Sequence, residues 1–413
     1  MPTPEREGQA TGSASSWIRA LILTLSLYGS QLPRGSMIQV GAIAAATVLL
    51  AFELLKGRFT LVPWAVGLAL LLTSPIWYMG VPPVGEYGQT KFEQLATTTP
   101  LTLLSATVIR HRADLLTLAR MWVVLGTALA LTTILSPATG AAGRAIGFAT
   151  NPIGLARPIA TGVIAALWLL LAPASSGYRS QRRVRLIGAT GLMFVGIVLT
   201  GSKGPLVGVA LGAVTLALVN SDRAVIARAS KIGCAGLIGV AILAVSPLAD
   251  TRIGRFVLSP LSAEDQIRSE FVSGSTAAIA NGWTAQGIGS WSSTTGHRGI
   301  FWPHNIWLEL IIEFGWLVAI IVTASVAVVL VRAVRWSRKD AVAPLLLAWL
   351  IAEMWMASIS GDVRARTLFF TLGLCLLAQR TWAGALRKEA AAAARSRRRP
   401  DRRRRQLHSP RRS

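Results

Sequence analysis

Residues able to do chemistry gather in three stretches of this 413-residue chain. In FWPHNIWLELIIEFG, residues 301–315, a histidine and an asparagine follow a proline. Asn305, Glu309 and Glu313 then recur every four residues, which puts them on one stripe of a helix. His304 titrates near neutral pH and can accept a proton from a hydroxyl. LTGSKGPLVG, residues 199–208, sets Lys203 beside the free amides of a helix start, an arrangement that favours anions. AEDQIRSEF, residues 263–271, carries Arg268, and Arg157 and Arg298 lie in two further segments; a guanidinium grips phosphate oxygens in pairs. A proton acceptor among fixed cations suits displacement of a phosphate leaving group by an alcohol. Each feature alone has a plainer reading as a polar helix end, an ordinary turn or a snorkelling arginine.

The elements that must position these groups are helices in a membrane. Hydrophobic residues make up 52% of the chain and charged ones 15%, with a mean hydropathy of +0.52, which excludes an ordinary soluble domain. Apolar runs predict an all-α integral membrane protein with about twelve spans, at 17–32, 37–55, 60–80, 93–109, 115–136, 151–172, 186–201, 204–220, 232–248, 304–331, 341–359 and 366–380. The run at 93–109 is polar at one end and reads equally as a shallow or cavity-lining segment. Pro303 is expected in the first turn of the span that His304 opens. Cys234 and Cys375 both sit within apolar runs as small core residues, and no Cys/His/carboxylate spacing fits a metal.

Charge sorts the connections into two sets. Those at 56–58, 110–112, 178–185, 223–231 and 332–340, with the C-terminal tail, are rich in Lys and Arg, and the positive-inside rule makes them cytoplasmic. Both termini are then cytoplasmic, with residues 1–16 a disordered leader to a retained first helix and 17–380 the membrane domain. The tail, 381–413, contributes 12 of the 42 Lys and Arg and is expected to lie disordered on anionic lipid, the nucleic-acid arm being the lesser alternative. The outer side holds one long loop, 249–303, and eleven cations: Arg34, Lys91, Arg144, Arg157, Lys203, Arg252, Arg255, Arg268, Arg298, Arg364 and Arg366. Positive charge there works against insertion, so an anion site is expected. Within the loop, Ile267 and Phe271 are placed to share one face of a surface helix. Glycines 282, 287 and 289 suit turns near a ligand or in any loop. No Walker-type loop or dinucleotide fingerprint occurs, so an outer-face reaction points to a lipid-linked phosphate donor.

On these residues the chain resembles the O-antigen ligase/polymerase family of membrane glycosyltransferases. GFATNPIGLARPIA (147–160), LTGSKGPLVGVALG (199–212), Arg268 followed by NGWTAQGIGSW, and PHNIWLELIIEFGWLVAII (303–321) carry the likeness in order and spacing. The resemblance implies a GT-C-like helical enzyme of the inner or plasma membrane, without metal or other cofactor. It would transfer a glycan from a polyprenyl-diphosphate-linked donor to an acceptor hydroxyl. It also implies Arg268 and Lys203 as ligands of the donor diphosphate and His304 as the group that assists the acceptor. Lys203 departs from the family's arginine and loses bidentate geometry, and Ile153 stands where the family has a second asparagine. Arg157, Arg298 and Asn305 are added as substrate-binding candidates. Glu309 and Glu313 either fix the tautomer of His304 or serve as polar contacts inside the bundle. The resemblance leaves ligase and polymerase unseparated. A transporter or flippase is the rival from another class, and it would show broken helices with charges at mid-membrane.

Overall fold

The structure, a computed structural model, describes residues 14–32, 34–56, 78–109, 111–135, 151–171, 180–219, 263–282, 284–297, 301–338, 340, 342–361 and 363–378. Residues 60–77 of the span expected at 60–80, the span expected at 232–248, Cys234, Arg144, Arg252, Arg255, Arg298 and the tail lie outside the described residues.

Almost every described residue is helical. In chain order the helices are α1 (Ala14–Tyr28), α2 (Gly35–Leu55), α3 (Gly85–Ala96), α4 (Thr98–Ser105), α5 (Arg112–Leu135), α6 (Pro152–Leu171), α7 (Ser180–Leu199), α8 (Lys203–Val219), α9 (Ala263–Asn281), α10 (Trp291–Thr295), α11 (Ile306–Ser337) and α12 (Ala343–Ser360). A thirteenth, α13, covers Arg366–Ala378. Five of them, α2 from Ser36 onward, α5, α6, α11 and α12, are long and apolar enough to cross a membrane.

Burial separates the centre from the rim. The apolar windows of α6 and α12 are 72% and 67% buried, against 28% for α2 and α11. α6 and α12 therefore form the core, and α2 and α11 present apolar side chains outward. Val48, Leu135, Leu218 and Leu317 are each at least 69% exposed, which water would penalise and lipid would not. α6 packs on α5, α7 and α8; α12 packs on α8, α11 and α6. Close approach between α5 and α6 depends on Gly162, where a β-carbon would lie 2.7 Å from Trp122 O and 2.9 Å from Met193 Sδ. Small residues at such crossings let backbones touch where lipid supplies no hydrophobic drive.

α1 and α2 form a hairpin through the turn at Gly29–Gln31, closed by Gln39 Nε2, which donates to Ser26 O and Leu27 O at 3.1 and 3.3 Å. The span expected at 93–109 is instead two short helices, α3 and α4, that part at Thr97 (φ −119°, ψ −68°). Pro100 follows in the Thr-Thr-Thr-Pro run; it has no N–H for the carbonyl at 96, so the helix cannot run straight through.

Two sets of connections meet at separate ends. Arg112 pairs with Asp340, which brings together two connections expected on the cytoplasmic side. The connections expected outside meet one another through Pro83–Ile288, Glu309–Val363 and Arg364–Tyr87. Enlarging Gly162 tests the central packing. Gly162→Leu should cost roughly 1–3 kcal/mol and lower the thermal midpoint in detergent. Gly188→Leu, where nothing lies within 4 Å, should leave it unchanged.

Candidate functional site

α11 opens at Ile306, with Asn305 as its cap: the Asn305 side chain accepts from Trp307 N at 3.0 Å and Leu308 N at 3.3 Å. Pro303 therefore precedes the helix and is not in its first turn. His304, between them, adopts a left-handed backbone (φ 56°), which turns its ring away from the helix axis. The expected stripe holds for the glutamates. Glu309 and Glu313 are fully buried and both face Lys91 of α3, itself fully buried. Lys91 Nζ donates to Glu313 Oε1 and Oε2 at 2.7 and 2.6 Å and also to Glu309 Oε1. Glu309 Oε2 accepts from Val363 N at 2.8 Å. Lys91 lies outside the long apolar helices; burial opposes its charge, but the two carboxylates outweigh burial and hold its pKa above the ordinary lysine value. Lys91 was counted among the outer cations open to an anion. The structure commits it to the glutamates instead.

Two residues after Glu313, α11 breaks. Gly315 has φ 79° and ψ 168°, outside helical space. The loop from α9 fills the break: Gln286 N donates to Ile312 O at 2.9 Å and Gly287 N to Glu313 O at 3.3 Å. Gly287 and Gly289, at φ 106° and 79°, let this loop lie backbone to backbone against residues 82–88. There Val84 N donates to Ile288 O at 2.8 Å and Ile288 N to Pro82 O at 3.1 Å. These glycines serve a backbone seam within the chain.

The C-terminal end of α12 draws several candidates together. Trp307 Nε1 donates to Ser358 Oγ at 2.8 Å. Arg157 Nη2 donates to Met356 O at 2.8 Å and Ser360 Oγ at 3.3 Å. Lys203 opens α8, and the next residue, Gly204, packs on Ile359 and Ser360, with its carbonyl accepting from Trp355 Nε1 at 3.2 Å. One helix end thus gathers Arg157, Lys203 and the Asn305–Trp307 cap. Arg268 joins through α9: Phe271, one turn on, stacks on His304 with centroids 5.9 Å apart and planes at 18°. Phe271 is buried on Trp291 and Ile312, whereas Ile267 is 45% exposed. The expected helix forms over both residues, and of the face they share only Phe271 is covered.

The sequence marks Arg364 as one of the outer cations, and it singles out neither His297 nor Glu353. His297 also packs on Phe271, at 5.2 Å, and on Trp291, at 5.3 Å. Arg364 Nη1 donates to Gln94 Oε1 at 3.2 Å and Nη2 to Tyr87 Oη at 3.3 Å. Glu353 is buried below Arg157, accepting from Thr367 Oγ1 at 2.5 Å and interacting electrostatically with that guanidinium. A carboxylate inside the apolar run AWLIAEMWMASIS is the legible signal for Glu353; nothing local in the sequence marks His297 or the partners that Arg364 takes. No protein-family model matches the chain, and no curated protein is similar to it at a significant level.

What the geometry offers is cations and a histidine held at one end of the helices, beside a buried ion triad. Lys91→Ala should cost roughly 3–5 kcal/mol, because it strands two buried carboxylates. The triple change Lys91→Met, Glu309→Gln, Glu313→Gln should recover much of that loss. Thermal unfolding in detergent checks both, and equal damage from the two would show that the charges are not the cause.

Proposed function

We propose that the chain is a membrane glycosyltransferase, a glycan ligase or polymerase, that moves a glycan from a polyprenyl-diphosphate carrier to an acceptor hydroxyl. The observation that carries this reading is the gathering of Arg157, Lys203 and the α11 cap at the end of α12, with His304 stacked on the helix that holds Arg268. Support also comes from the resemblance in the motifs that supply these residues.

In the proposed step the acceptor oxygen attacks the anomeric carbon, and the bond from that carbon to the diphosphate oxygen breaks. The acceptor proton passes to the His304 imidazole. The leaving diphosphate takes up one further negative charge, which Arg268 and Lys203 neutralise. Arg157 is the weaker ligand, since one of its nitrogens already holds the end of α12. Asn305 contributes by fixing the start of α11 and so the position of His304. Glu309 and Glu313 hold the bundle together and take no part in the proton transfer. The reading places the reaction on the extracytoplasmic face of the inner or plasma membrane, with the acceptor arriving from that side.

One observation favours the transport class instead. α11 is a broken helix with buried charges one turn from the break, a feature shared with carriers that bind ions at discontinuous helices. Sealed vesicles separate the two. Covalent glycan transfer from a lipid-linked donor supports the enzyme, and passage of donor across the bilayer without a product supports the carrier. Within the enzyme reading, His304→Ala should lower transfer by about 10²–10⁴-fold in membranes with unchanged protein level. Full retained transfer would remove His304 from the mechanism. A product ladder of increasing length would identify a polymerase, and one transfer per acceptor a ligase.

A further inference from the structure

We propose that the open cleft between α3 and the α10 segment is a saccharide-binding subsite, with Tyr87 and Phe301 as its stacking floor. The cleft has a volume of about 700 Å³, and its side-chain lining includes Tyr87, Phe301, Glu86, Thr90, Ser292 and Ser293. That volume falls in the range of small-molecule sites, about 300–1,000 Å³.

The floor is aromatic and fixed. Tyr87 and Phe301 stack with centroids 4.7 Å apart at 22°, and Trp302 extends the stack at 6.2 Å and 14°. Arg364 holds Tyr87 in place: it donates to the phenol oxygen at 3.3 Å, and its guanidinium carbon is 5.4 Å from the ring centroid. Phe301, stacked on Tyr87, is nonetheless 44% exposed among the described residues. The rim is polar. Ser292 Oγ donates to His297 O at 2.6 Å and Ser293 Oγ to Ser290 O at 2.8 Å, which leaves both oxygens as acceptors. Thr90 and the Glu86 carboxylate complete it.

This combination selects a pyranose. A sugar ring offers a C–H face to an aromatic floor and an edge of hydroxyls to serine, threonine and carboxylate groups. An acyl chain would leave the rim hydroxyls unpaired. A phosphate would meet the Glu86 carboxylate, and among the described residues the lining holds no cation, so a neutral or amino sugar suits this rim better than a phosphorylated one. The floor leads to the candidate base, because Trp302 packs on His304 with centroids 5.2 Å apart. That the bound sugar is the acceptor rests on the transferase reading; that a sugar binds does not.

The test uses the full chain in lipid nanodiscs on a printed array of neutral, amino, uronic and phosphorylated glycans. The wild type should retain at least one neutral or amino glycan. Phe301→Ala should weaken that binding by about tenfold; its exposed position keeps folding out of the result. Glu86→Gln should shift preference away from amino sugars, and Thr294→Ala, on α10 but outside the cleft, should bind as the wild type does. No retained glycan, retention of charged glycans alone, or equal binding by Phe301→Ala overturns the proposal. Glycan binding that depends on Phe301 in a protein without transferase activity would keep the subsite and sink the enzyme reading.

Discussion

Lys91 lies on a short helix far in sequence from the two glutamates it holds, and the end of the bundle where α11 begins is organised around that contact. Two carboxylates and one ammonium out of water cost several kcal/mol per ion unless their hydrogen-bonding capacity is met. Here it is largely met. Lys91 serves both glutamates, and the Val363 amide takes the remaining Glu309 oxygen. The ion cluster consequently ties α3, the first turns of α11 and the α12–α13 connection into one unit. Removing Lys91 takes from two buried carboxylates the cation they share, and so loosens all three segments at once.

The break at Gly315 follows from the same constraint. A straight α11 would bond the carbonyls of Ile312 and Glu313 along the helix and leave no edge for another segment. With the helix interrupted, those carbonyls accept from Gln286 and Gly287. The loop so anchored then runs along residues 82–88, the stretch that leads into Lys91. Charge and backbone thus hold the same pieces together at adjacent levels. The half-helix from Ile306 to Phe314 becomes a rigid mount for the cap that precedes it. His304 gains a fixed position without belonging to a helix, since its left-handed backbone is flanked by that mount and by ring contacts to Phe271 and Trp302.

Much of this was legible, and what was not has a physical reason. The long apolar helices appear where hydropathy put them: 37–55, 115–136, 151–172 and 341–359 differ from α2, α5, α6 and α12 by at most three residues at an end. Period and length decide such elements locally. The i, i+4 spacing of Glu309 and Glu313 also foretold a shared buried face. Their partner was not foretold, because Lys91 stands 218 residues from Glu309, and no local pattern distinguishes a lysine that pairs across the bundle from one that meets solvent. The 93–109 run misled for a related reason: mean hydropathy does not register that Pro100 withdraws a donor. Pro303 misled by type preference, since Asn305 caps better than a proline starts.

The placement of the cations bears on which chemistry the outer end can support. Arg157 has Glu353 beneath it and the end of α12 beside it, and Arg364 is occupied by Gln94 and Tyr87. Charges so occupied shape the site more than they bind in it. Lys203 is the first residue of α8, where the helix-start amides add to its positive charge, and Arg268 is the sixth residue of α9. On the reading proposed above, these two cations neutralise the charge that grows on the departing diphosphate, while Glu309 and Glu313, held by Lys91, brace this end of the bundle.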